Sequence, residues 1–115
     1  MNQLKRNENE QMDTKNVSNA FQVFMQEAPE HSKAWMEAVQ KLDAASSLDK
    51  KTEEIAYIAV LAAVGLESGI PFHVKQAKMH GATRDEIMSA ILLGLPAIGN
   101  GVIKALPIAL QAYGE

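Results

Sequence analysis

One stretch constrains this chain more than any other: Glu53 to Gly81, EEIAYIAVLAAVGLESGIPFHVKQAKMHG. It sets two ionisable side chains, Glu54 and His73, around an almost unbroken apolar run. The run from Ile55 to Val64 is apolar all round when wound as a helix, so it must be surrounded by protein, in a core or at a subunit contact. At ten residues it is too short to span a bilayer. Lys50 to Val64 is therefore expected to be a helix, with Glu53 and Glu54 in the first turn, where the macrodipole favours negative charge. Gly65 is its expected end.

The flanking sequence is helical by the same criteria. Val17, Ala20, Phe21, Phe24 and Ala28 recur at helical spacing, with Asn16 or Ser18 as a cap. Pro29 ends that helix or opens the next, expected over Glu30 to Ala45 with Trp35, Ala38, Val39 and Leu42 as its stripe. A fourth helix opens near Ser68 to Pro71 and runs to His80, with Gly81 just past its end. Thr83-Arg84-Asp85-Glu86 reads as a capping box that starts a fifth helix through Leu93. A sixth is expected from Pro96 to about Tyr113, with a weak point at Pro107. No stretch keeps a strand period, so the expectation is all-α, a single-domain bundle of about six helices over residues 16–115. Residues 1–15 are polar and mixed in charge, and are expected to form a disordered tail.

Composition narrows the function. A net charge of -3 and no Lys/Arg cluster with interleaved aromatics leave no footprint for nucleic acid. No membrane partner is expected either. The longest uncharged apolar run near the C-terminus is broken by Gly94, Pro96, Gly99, Asn100 and Gly101. The polar N-terminus is unlike a signal peptide, and a cytoplasmic location is expected. The chain has no cysteine, which removes disulfides, thiol nucleophiles and Cys-ligated metals.

Two residues are candidates for chemistry. Glu54 shares a helix face with Ile58, Leu61 and Gly65, and burial on such a stripe suits a carboxyl to proton transfer. The alternative is a carboxylate that only complements a helix N-terminus. His73 lies among Ile70, Val74 and Ala77, and the alternative for it is a hydrogen-bonded core histidine. His73 and His80 share a face but stand about 10 Å apart along the axis, too far for an i, i+4 metal pair. No metal and no cofactor are expected. Lys75 is a candidate for attracting a substrate carboxylate if it faces the pocket.

These residues resemble a known family. Leu48-Asp49-Lys50-Lys51-Thr52-Glu53-Glu54-Ile55, His73-Val74-Lys75-Gln76-Ala77, His80-Gly81-Ala82-Thr83-Arg84-Asp85-Glu86-Ile87 and Gly94-Leu95-Pro96-Ala97 look like the carboxymuconolactone decarboxylase and alkylhydroperoxidase D family, over about residues 28–112. The resemblance implies a helical fold assembling as a trimer or hexamer, with a pocket near subunit contacts. In the peroxidase branch a Glu is followed, after eleven residues, by C-x-x-C-x-x-x-H. Glu54 and His73 fall on the acid and histidine positions, while Leu66 and Gly69 fall on the two cysteines. Leucine and glycine can neither attack a hydroperoxide nor resolve a sulfenic acid, so thiol peroxidase activity is argued against. The decarboxylase branch also lacks the cysteine pair. Its dedicated lactone decarboxylases carry a Trp-rich segment before the Glu helix, where this chain has only Ala34-Trp35. The first functional expectation is thus a cofactor-free lyase acting on a small carboxylated, lactone-like molecule through Glu54 and His73, with Lys75 as a binding residue. The alternative is a non-catalytic oligomeric binding or scaffold relative in which Glu54 and His73 form a structural pair.

Overall fold

The computed structural model describes residues 17–115, so the tail expected over residues 1–15 lies outside the described residues. The chain divides into two compact units, one up to Ser47 and one from Leu48 to Glu115. Every element among the described residues is helical.

The first unit contains α1 (Asn19–Glu27) and α2 (Pro29–Ala45). Ser18 caps α1, its hydroxyl accepting from the Phe21 N–H at 3.2 Å. Pro29 opens α2, where its missing N–H and fixed φ cost nothing. The two helices are separated by Ala28 alone.

The second unit begins with α3 (Lys50–Val64), whose bounds agree with the sequence expectation. Asp49 caps it, accepting from the Thr52 N–H at 2.8 Å. Gly65 ends it in the left-handed region at φ 78°, where a residue without Cβ is unstrained. A 3₁₀ turn over Glu67–Gly69 leads into α4 (Ile70–Met79). Thr83 and Glu86 make the capping box of α5 (Arg84–Leu92), with both reciprocal hydrogen bonds present.

The expected sixth helix is divided. It consists of α6 (Leu95–Ile98), a 3₁₀ segment (Asn100–Ala105) and α7 (Leu106–Gly114). The break falls at Gly99, whose φ 88° and ψ -164° belong to no helix. Pro107 sits in the first turn of α7, where proline is tolerated, so it starts a helix rather than kinking one.

Among the described residues, the buried apolar cluster lies in this second unit. α3 packs on α4 and α5, and α7 packs on the same two. Ile58, Ile70, Val74, Ile87, Ile91, Val102 and Ala109 are completely buried between them. Tyr113 ties α7 in place: its hydroxyl donates to the Ala82 carbonyl at 2.8 Å, and its own carbonyl accepts from Lys78 Nζ at 2.7 Å.

Candidate active site

Glu54 and His73 come from neighbouring helices. Glu54 stands in the second turn of α3, on the stripe continued by Ile58 and Leu61, which are 0% and 5% exposed. That burial points the carboxylate towards α4. His73 lies in the first turn of α4, one position before the fully buried Val74. The two side chains meet: His73 Nδ1 is 2.8 Å from Glu54 Oε1. Their side chains keep 26% and 17% of their accessible surface, so the pair is shielded but still reached by solvent.

The chemistry of that contact assigns the proton. A carboxylate accepts hydrogen bonds and cannot donate them. With Glu54 as a carboxylate, the hydrogen of this contact belongs to Nδ1, which in the neutral ring leaves the lone pair on Nε2. Two aromatic rings flank the imidazole edge-on. The Tyr57 centroid is 4.6 Å away with planes at 63°, and the Phe72 centroid is 5.1 Å away at 86°.

Lys75 is not brought to the pair. It is two residues beyond His73, about 200° further round the helix. Its Nζ lies 3.8 Å from Glu115 Oε1. Leu66 and Gly69 flank and close the 3₁₀ turn that leads into α4. Leu66 is 57% exposed, and a Cβ added at Gly69 would meet only the Leu61 methyl groups at 3.6 and 3.7 Å. The backbone there would accept a side chain, so the glycine is not a steric necessity.

A second feature escaped sequence reasoning. An open surface depression of about 570 Å³ is bounded by the start of α3 from Asp49 to Thr52, by Ile55, and by His80 and Glu86. Neither Glu54 nor His73 is in its lining. Its charges are paired locally: Lys51 Nζ is 3.1 Å from Glu86 Oε1. The Asp49 carboxyl titrates below its ordinary value of 3.8, chiefly because the Thr52 backbone N–H donates to it. Glu86 is likewise lowered from 4.5, first by the Thr83 backbone N–H and then by Lys51. Only contacts between residues far apart in sequence create this depression, and no local motif announces it.

A comparison with family models places most of the chain in one family. The family model for carboxymuconolactone decarboxylases matches residues 29–111, 83 of the 115 residues. This chain belongs to the carboxymuconolactone decarboxylase family. No curated protein and no solved structure matches it. As a carboxymuconolactone decarboxylase family member it has no cysteine anywhere in the sequence. Among the described residues of this family member, no helix is long and apolar enough to cross a membrane.

Proposed function

We propose that the Glu54–His73 pair is a proton-transfer site, and that the protein is a cofactor-free lyase acting on a small carboxylated, lactone-like substrate. The observation that carries this reading is the 2.8 Å Nδ1–Oε1 contact at a half-buried, solvent-reached position. A carboxylate that fixes one imidazole nitrogen leaves the other to exchange protons with a substrate. In the proposed step the bond to the substrate carboxylate breaks and CO2 leaves. The electron pair stays on the carbon beside a carbonyl as an enolate. The imidazolium delivers its Nε2 proton to that carbon, and the neutral ring regains a proton from water. Glu54 holds Nδ1–H throughout and stabilises the cationic ring. Lys75 enters this reading only as a more distant attraction for the substrate carboxylate, since Glu115 is its neighbour.

The protein works as an oligomer in this reading. Tyr57, Val60 and Val64 form an exposed apolar stripe on α3, at 47%, 52% and 62% exposure. Three large apolar side chains on one helix face are the kind of surface that a subunit contact covers. The test of the lyase reading is His73→Gln, assayed for CO2 release from small carboxylated lactones. Turnover should be lost with the helical spectrum and melting temperature nearly unchanged. Retained turnover would refute the assignment.

One observation favours a second reading, a non-catalytic oligomeric relative. The 570 Å³ depression excludes both Glu54 and His73. In that case the pair is structural, and His73→Gln lowers the melting temperature while no substrate is turned over by the parent protein.

A further inference from the structure

A single hydrogen bond does not define the orientation of an imidazole. The Nδ1–Oε1 contact anchors one atom and leaves the ring able to tilt about that line, or to turn over and offer Nε2 to Glu54 instead. Something else must remove this freedom if His73 is to present one nitrogen consistently. Tyr57 is placed to do so. It stands three residues after Glu54 on α3, on the same side of the helix. Its ring packs edge-on against the imidazole at 4.6 Å, closer than the Phe72 ring at 5.1 Å. Phe72 is also the chain neighbour of His73, so its contact follows from sequence adjacency, whereas the Tyr57 contact is made across two helices.

Core burial within the chain does not account for Tyr57, and its place on the exposed α3 stripe does not require the contact its ring makes with the imidazole. Tyr57 is 47% exposed, while the next residue, Ile58, is completely buried. Its hydroxyl has no hydrogen-bond partner among the described residues, so the working part is the ring. We propose that Tyr57 is a positioning residue of the Glu54–His73 pair: its ring holds the imidazole at the tilt in which Nδ1 meets Glu54 and Nε2 faces away. This rests on the reading of the pair as a proton-transfer site, but it concerns the ring itself and is measured without a substrate.

The test is nitrogen-15 NMR of the full chain labelled at histidine. The sequence has three histidines, His31, His73 and His80, and the His73 signals are assigned by their loss in His73→Gln. In the parent protein and in Tyr57→Phe, neutral His73 should be a single Nδ1–H tautomer. In Tyr57→Ala the Nε2–H form should grow at least about threefold, with line broadening from ring motion. Tyr57→Leu, which keeps apolar bulk without a flat ring, should fall between them and covers the case in which the alanine variant does not fold. If a CO2-releasing substrate is found, Tyr57→Ala should lower kcat by about tenfold with KM little changed, as expected for lost alignment, and Tyr57→Phe should restore it. An unchanged tautomer ratio in the folded alanine or leucine variant would overturn the positioning role. Turnover that survives His73→Gln would overturn the lyase reading instead, and would leave the tautomer result standing.

Discussion

Glu54 accepts from His73 Nδ1 at 2.8 Å, and a carboxylate can do nothing else with that hydrogen. Glu54→Gln replaces it with a group of the same shape that donates as well as accepts. The amide no longer dictates which imidazole nitrogen holds the proton, and it provides no charge opposite the imidazolium. Under the lyase reading kcat should fall by roughly 10²-fold, with little change in melting temperature, because the side chain remains hydrogen-bonded. Steady-state rates alongside a thermal melt check this; undiminished turnover would remove Glu54 from the chemistry. The two residues differ in how far the sequence reveals them. The i, i+4, i+7 register of Glu54 with Ile58 and Leu61 is visible in the letters, and those two residues are indeed buried. The nineteen-residue separation to His73 contains no such rule, because the approach depends on how α4 folds back after the 3₁₀ turn. Lys75 shows the same limit from the other side. Its role as a binding residue is conditional on facing the pocket, and the sequence does not show that its Nζ lies 3.8 Å from Glu115 Oε1.

Helix ends carry the next scale. Gly65 closes α3 at φ 78° with open space where a Cβ would stand. Gly65→Ala therefore brings no clash and isolates the backbone cost, roughly 1–2 kcal/mol, which chemical denaturation should read as a lower midpoint with unchanged slope. Asp49 and Glu86 cap α3 and α5 from solvent-exposed positions, and both titrate below their ordinary values. A carboxyl whose folded value is depressed adds stability above its unfolded value and loses it as pH falls through the folded one. The protein should thus lose stability on acidification below the ordinary carboxylate range. Asp49→Asn keeps a good N-cap and removes one titrating group, so melts between neutral pH and strong acid should become less pH-dependent. Gly65 and the Thr83–Glu86 capping box are legible in the sequence, since they act through bonds within four residues. The division of the sixth helix is not. The sequence puts the weak point at Pro107, but the chain breaks at Gly99, where a backbone angle open to glycine ends α6.

Within the second unit, α3 carries a stripe of apolar side chains that is exposed among the described residues. Tyr57, Val60 and Val64 face outward from α3, while Ile58, Leu61 and Ala62 of the same helix form the core. The all-round apolar character of this helix thus has two destinations. One side is satisfied within the chain, and the other is proposed to be satisfied by a second copy. Val60→Glu sets a charge in the middle of that stripe without touching the core. Light scattering should show the parent protein as an oligomer and this variant as a smaller species. A monomeric parent would sink the subunit-contact reading.

The helices up to Leu92 and their caps follow from the sequence alone, because apolar periodicity and capping act over three or four residues, whereas the division of the expected last helix at Gly99 does not. The exclusion of thiol chemistry also follows from the sequence, since Leu66 and Gly69 carry no sulfur. Only the tertiary structure decided that Glu54 meets His73, that Tyr57 packs against the imidazole, and that Lys75 turns away to Glu115. Those are encounters between different elements, fixed by how the α3, α4, α5 and α7 faces bury one another, and no local pattern of residues encodes them.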